Sequence, residues 1–156
     1  MILAAAAAFA IASATFAPNT TMPQSTVYNK CGGQNRSPEL HWSGAPKGTR
    51  SFALIAFDPD ATGGWYHWVV YNLPAAQSRL YAGVRLPLSE AGTTSFKQLG
   101  YGGPCPPPGK VHHYMFTLYA LDVSRLGRTG MTGPRAEAAM RRHILAKTTV
   151  TGLYQR

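Results

Sequence analysis

HYMFTLYAL, residues 113–121, decides the fold, because it carries the clearest β-strand pattern in the chain. Aromatic and apolar side chains dominate it, and these suit a pleated, buried surface. Alternate residues of a strand face opposite sides, so one set begins with Tyr114 and Phe116 and the other with Met115 and Thr117. Both sets are mostly apolar. The pattern therefore predicts a central strand that is covered on both faces.

Four further segments carry strand or helix patterns. SFALIAF at residues 51–57 and YHWVVYNL at residues 66–73 are apolar runs of strand length, and Pro74 ends the second. A helix with a proline in its first turn is predicted over residues 134–146, and a closing strand over residues 148–154. Together they predict a mainly β domain, a two-sheet antiparallel β-sandwich with a C-terminal helix.

The composition indicates one basic domain. The chain has 156 residues, with 15 Lys and Arg against 6 Asp and Glu and a formal net charge of +9 at pH 7. This length suits a single domain with its own core. No nucleic-acid partner is expected, because such surfaces usually cluster their basic residues, and only Arg141 and Arg142 are adjacent here. The positive charge does favour an anionic membrane surface as a partner.

The N-terminal stretch MILAAAAAFAIASATFA, residues 1–17, contains no charged residue. It is shorter than the ~20 apolar residues of a membrane span, and it is similar to the apolar region of an export signal with a cleavage site at Thr15-Phe16-Ala17. A buried Ala-rich helix is the alternative, although the run has no polar face. The sequence thus predicts a signal peptide over 1–17, one domain over 18–156, and a periplasmic or secreted location.

The chain has two cysteines, Cys31 and Cys105, each in a loop rich in Gly or Pro. Export would permit a disulfide between them. Two buried free thiols are the alternative, because geometry decides whether a bridge can close.

Acidic residues and a histidine lie around the connection between the first two predicted strands. Asp58 and Asp60 flank Pro59 directly after residues 51–57, and His67 lies early in the next strand. Antiparallel pairing of the two strands would bring Asp58 and His67 to the same end of the sheet. A carboxylate there can orient an imidazole. The alternatives are a turn capped by Asp58 and a His67 that is an ordinary core residue.

A loop rich in Gly and Pro, YGGPCPPPG at residues 101–109, leads into His112-His113-Tyr114. Its backbone N–H groups could cradle an anion, although a purely structural crossover has the same composition. If two imidazoles, the carboxylates and this loop converge, amides and imidazolium would hold an anion and a carboxylate would meet an ammonium group. Such a pocket would suit a small anionic or phospho-amine ligand.

In this order the motifs resemble the two signature regions of the phosphatidylethanolamine-binding protein family, in its bacterial Raf kinase inhibitor-like branch. The similar segments are Asp58-Pro-Asp-Ala61, His67-Trp68, Gly102-Gly-Pro104, Gly109 and His112-x-Tyr114, with Cys31 to Trp42 upstream. The resemblance runs from about Val27 to Tyr154. It implies a sandwich of antiparallel sheets and a pocket for phosphorylated headgroups. Position by position, the implied ligand-binding residues are Asp58, His67, Gly102, Gly103, Pro104, His112 and Tyr114, supported by Pro59, Asp60, Trp68 and His113.

The resemblance implies a binding and regulatory protein that needs no cofactor or metal and whose protein target would be a kinase or a protease. Two departures bear on this: His113 stands where the family usually has Arg, and the loop after Asp60 is short. The alternative is an enzyme, a hydrolase or a metal-dependent enzyme that uses Asp58, His67 and His112. No nucleophile-elbow serine or His-Glu-x-x-His pattern supports it, yet one Asp and two His can form a metal triad.

Overall fold

The chain folds into two antiparallel sheets in the computed structural model, which describes residues 5–156. The smaller sheet has the order β1-β2-β5 and the larger the order β4-β3-β6-β7. Their bounds are β1 Ala10–Ala12, β2 Leu40–Ser43, β3 Ser51–Asp58, β4 Trp65–Pro74, β5 Arg79–Leu80, β6 His112–Leu121 and β7 Ile144–Tyr154.

The main core lies between the two sheets. Leu40 and Trp42 of β2 face Phe52 and Leu54 of β3, and all four are buried. The alternation within each strand places these apolar side chains on one face, and burying them is the main favourable contribution to folding. The predicted antiparallel sandwich is therefore confirmed.

The strand β6 is internal to the larger sheet, as its sequence predicted, but only one of its faces is fully covered. Tyr114, Phe116 and Leu118 are buried between the sheets, whereas Met115 on the other face is 37% exposed. The prediction of cover on both faces was wrong, because the helix and its flanking loop pack against β3 and β4 and leave much of β6 and β7 open.

The C-terminal helix α1, Gly133–Met140, is shorter than the sequence predicted. It has Pro134 in its first turn and buries Ala136 and Met140. The expected continuation to residue 146 was wrong, because β7 already begins at Ile144 and pairs with β6 along its whole length. Within residues 5–156, no helix is long and apolar enough to cross a membrane.

The N-terminal segment forms part of the fold. The strand β1 pairs with β2, and Ile11 and Phe16 are buried in the core between the sheets. The alternative of a buried helix is therefore wrong for this strand, and the domain boundary at residue 18 remains a prediction. A cleaved signal remains a prediction, and its first four residues lie outside the described ones.

Candidate functional site

A buried Asp–His pair forms one side of the site. Asp58 ends β3 and His112 begins β6, and the two strands are neighbours in the sheet. The His112 Nδ1–H donates to Asp58 Oδ2 over 2.6 Å, and both side chains are at most 5% exposed. The other oxygen, Asp58 Oδ1, accepts the backbone N–H groups of Asp60 and Ala61, which close the turn at Pro59. The carboxylate thus fixes both the turn and the imidazole.

The second imidazole, His67, lies at a β-bulge in β4. Tyr66 pairs with Phe57 and Trp68 pairs with Ala56, so His67 is the extra residue on its strand. A bulge redirects a side chain and frees backbone groups from the ladder. Here the freed carbonyl oxygen of His67 accepts the N–H of Gly102, and His67 Nδ1–H donates to the carbonyl oxygen of Gly102 over 2.6 Å. This double contact fixes the ring.

Burial lowers the pKa of His67 to about 4, although its bond to Gly102 and the nearby Asp58 act in the opposite direction. Its imidazole is therefore neutral at pH 7. Since Nδ1 carries the hydrogen, Nε2 carries a lone pair. The sequence prediction of an imidazolium at this position needs correction, because desolvation of the ring outweighs the attraction to Asp58.

The backbone N–H groups of the glycines in the 101–109 loop bond to protein oxygens, and Gly102 and Gly103 are also closely packed. The N–H of Gly102 bonds to His67, that of Gly103 to Asn35 Oδ1, and that of Gly109 to the Arg156 carbonyl. A Cβ on Gly103 would lie 1.9 Å from the Thr26 carbonyl oxygen, and one on Gly102 would overlap Phe96. The expectation of an amide cradle was wrong at these three positions, because protein oxygens already use their N–H groups.

The site opens into a cavity of about 540 Å³. Asp58, His67, His112 and Tyr114 line it, so the structure brings four of the predicted ligand-binding residues together. Burial raises the pKa of Tyr114, which keeps its hydroxyl protonated as a donor. Gly102, Gly103 and Pro104 lie behind this lining, with the Pro104 carbonyl oxygen accepting the Tyr28 N–H.

The supporting residues lie outside the cavity lining. Asp60 Oδ2 accepts both the backbone N–H and the Nδ1–H of His113, each over 2.8 Å, and Pro59 is exposed. Trp68 lies in the core and borders a separate cleft of about 670 Å³ with Arg36 and Arg85. With Asp58 and Asp60 each bonded to a histidine, the carboxylate that the sequence predicted for an ammonium group is already occupied.

The structure adds residues that sequence reasoning missed. Aromatic rings of Tyr28, Trp65 and Phe96 wall the cavity, and Lys30 and Lys97 lie at its mouth. Phe96 contacts the His67 ring edge-on at 5.5 Å between centroids. Lone lysines in loops carry no sequence pattern, and nothing in the sequence could have marked these two.

The two cysteines form a disulfide. Cys31 and Cys105 are bonded with 5.6 Å between their Cα atoms, at a sequence separation of 74. Cys105 also lines the cavity, so the bridge ties the segment that carries Lys30 to the rim of the site.

Among residues 5–156, no group of three or more His, Cys, Asp or Glu side chains has an arrangement that could hold a metal ion. Asp58 instead contacts His112 directly, as an orienting partner.

Comparison with known proteins gives the family. The model of the phosphatidylethanolamine-binding protein family matches residues 12–155. The UPF0098 protein YbhB of Escherichia coli is 40% identical over 144 residues, which cover 85% of this chain and 91% of YbhB. A Mycobacterium tuberculosis protein that carries the name lipoprotein LppC is 36% identical over 153 residues, covering 97% of this chain and 74% of LppC.

A solved structure agrees with these sequence relationships. The crystal structure of E. coli YbcL, described as a new member of the mammalian PEBP family, superposes with a TM-score of 0.90 at 34% identity. The superposition covers 96% of this chain and 99% of YbcL. The chain therefore belongs to the phosphatidylethanolamine-binding protein family, as its motifs predicted.

Proposed function

We propose that this protein binds small ligands through a phosphate or similar anionic group, in the cavity beside His67 and His112. One observation carries the proposal. Both imidazoles line the same cavity, and each donates its Nδ1–H to a protein oxygen. Nε2 is therefore the ring nitrogen that each histidine has available for a ligand.

The burial of His67 gives anion binding a pH dependence. Because the pKa of His67 is about 4 in the protein without ligand, its ring is neutral at pH 7 and cannot donate from Nε2. A bound anion favours the protonated ring and raises this pKa, so binding takes up a proton between the free and bound values. Affinity for an anion of constant charge, such as sulfate, should therefore rise as pH falls through the ligand-bound pKa of His67 and level off near pH 4.

The family and the cavity support a binding protein without covalent chemistry. The family name indicates phosphorylated headgroups of the phosphatidylethanolamine type, and the proposal for this chain concerns the phosphate group of such ligands. The proposal extends to regulation of a kinase or protease, tested by assaying such enzymes with and without excess protein. A periplasmic or secreted location is also proposed, supported by the disulfide and by the lipoprotein name of one relative.

Calorimetric titration with inorganic phosphate tests the binding proposal. Asn retains an N–H in the position of Nδ1 but removes Nε2, so His67→Asn and His112→Asn preserve the internal hydrogen bonds. Each should weaken binding about tenfold or more, since a charge-assisted hydrogen bond is lost. The matched control, His113→Asn, makes the same change outside the cavity and should bind like the unaltered protein. Equal affinity in all four proteins would refute the proposal.

The alternative function, a hydrolase or metal-dependent enzyme using Asp58, His67 and His112, predicts a different result. Zinc would then strengthen phosphate binding, or a phosphoester substrate would be turned over. The bond between Asp58 and His112 favours an orienting role for the carboxylate. Titrations with and without zinc, and an assay of phosphoester cleavage, separate the two functions.

A further inference from the structure

Two lysines on separate loops give the mouth of the cavity a positive charge. Lys30 and Lys97 both line it, and both are exposed. We propose that this mouth selects ligands with a second anionic group beside the phosphate and disfavours ligands with an ammonium group. The inference rests on the proposed function, because it concerns the far end of a ligand whose phosphate lies at the histidines.

Aromatic stacking holds the two lysine-bearing loops together. The rings of Tyr28 and Phe96 stack with 4.6 Å between their centroids. Tyr28 lies two positions before Lys30, and Phe96 lies directly before Lys97. Lys30 occupies a 3-10 turn, Asn29–Cys31, which the bond from Cys31 to Cys105 ties to the cavity rim. The backbone of Lys30 is thus fixed at the mouth.

The second loop is held by a tight turn. Lys97 donates its N–H to the Thr94 carbonyl oxygen, and Thr94 donates both its N–H and its hydroxyl to the Gln98 carbonyl oxygen. Lys97 has a φ of 59°, in the left-handed region that non-glycine residues seldom adopt. This backbone conformation fixes the direction of the Cα–Cβ bond of Lys97 at the mouth of the cavity.

In the described part of the chain, neither lysine forms a salt bridge with an acidic side chain. Among the described residues that line the cavity, Asp58 is the one acid, and its two oxygens already accept bonds from His112 and from the turn at Pro59. An ammonium group at the mouth therefore meets two like charges. A carboxylate or second phosphate in the same place meets two opposite charges.

Three phosphate esters that differ at the far end test the inference. Phosphoglycolate carries a carboxylate there, ethyl phosphate no charge and phosphoethanolamine an ammonium group. We expect affinity to fall in that order, with about tenfold between the first and the last, as Coulomb attraction near a hydrated surface allows. Titration calorimetry at low salt measures all three, and added salt should compress the order.

Lysine variants show whether the mouth produces this order. In the double variant Lys30→Gln/Lys97→Gln, the three esters should bind within about twofold of one another, because the charges that separate them are gone. The matched control, Lys47→Gln/Lys147→Gln, removes the same net charge at exposed positions outside this cavity and should retain the order. An order that survives in the first double variant, or disappears in the control, would overturn the inference.

Failure of this inference and failure of the proposed function have different signatures. If phosphoethanolamine binds as tightly as phosphoglycolate or more tightly, the inference is wrong while the phosphate site stands. If none of the three esters binds, the proposed function itself is wrong.

A phosphate beside a second anionic group occurs both in free metabolites and in lipid headgroups with two phosphates. Phosphatidylcholine vesicles with and without cardiolipin distinguish these sources. Retention on cardiolipin vesicles that phosphoglycolate abolishes assigns a lipid source, and tight phosphoglycolate binding without retention assigns a free ligand. Either result supports the preference for a second anion.

Discussion

Two Asp–His pairs lie close together in this molecule, and they differ in almost everything except their chemistry. Asp58 and His112 are bonded over 2.6 Å and almost fully buried, whereas Asp60 and His113 are bonded over 2.8 Å with half of the His113 side chain exposed. Asp58 and Asp60 are only two positions apart in sequence, and His112 and His113 are adjacent. Alternation along β6 turns His112 inward and His113 outward.

The difference shows that environment, more than residue type, decides which pair builds the site. Water can satisfy the groups of the exposed pair if its bond breaks. The buried pair has no such replacement, so its bond must be maintained for the turn at Pro59 and the ring of His112 to keep their positions. His67 sharpens the contrast, because it is buried with a carbonyl oxygen as its partner and without a bonded carboxylate.

The largest expected effect is the removal of the buried carboxylate. Asp58→Ala should destabilise the fold by about 4 kcal/mol, because the buried His112 Nδ1–H and two backbone N–H groups lose their acceptor. Urea unfolding followed by fluorescence measures the change. Asp60→Ala is the matched control, and an equal loss in the two variants would remove the distinction between the pairs.

Acidification should destabilise the protein somewhat less, through His67, the buried imidazole that has no bonded carboxylate. The pKa of His67 is about 4 in the folded protein against 6.5 for the free side chain, so the unfolded chain takes up the proton first as pH falls. The contribution of His67 to the free energy of unfolding is therefore fully present above pH 6.5, and about 3 kcal/mol of it is lost as pH approaches 4.

Unfolding measured across this pH range checks the prediction, with His67→Asn as the variant that should lose this part of the pH dependence. An unchanged pH profile in His67→Asn would assign the acid sensitivity to other groups.

The exposed pair should give the smallest effect. His113→Ala should cost about 0.5 kcal/mol or less, since surface ion pairs contribute little, and added salt should reduce even that. The hydrogen bond from His113 lowers the pKa of Asp60 below 3.8, so this contribution is present above pH 3.8 and is lost as pH falls through the lower, folded-state value. Chemical unfolding at low and high salt measures it, and a loss above about 2 kcal/mol would contradict its assignment as a surface pair.

Local pattern was sufficient to predict the frame of the site. Alternation in HYMFTLYAL identified β6, and the short connection between β3 and β4 brought Asp58 and His67 to one end of the sheet, as the hairpin argument expected. The motif order also identified the family. These properties depend on residues close in sequence or on a neighbouring strand.

Partners distant in sequence explain what could not be predicted. The N–H of Gly103 bonds to Asn35, 68 residues away, and this contact removes the amide from the anion seat. Lys30 and Lys97 line one cavity from loops that are distant in sequence, and Tyr28 stacks on Phe96 beside them. The three residues of β1 are too few to show a strand pattern, so their pairing with β2 could not be predicted from the sequence.

Imidazole NMR during a titration with inorganic phosphate at pH 7 tests the central claim most directly. The ring signals of His67 and His112 should shift together and saturate at one ligand concentration, while those of His113 and His143 stay unchanged. Signals of His67 and His112 that remain fixed, or that move no more than those of His113, would contradict a binding site at the buried imidazoles.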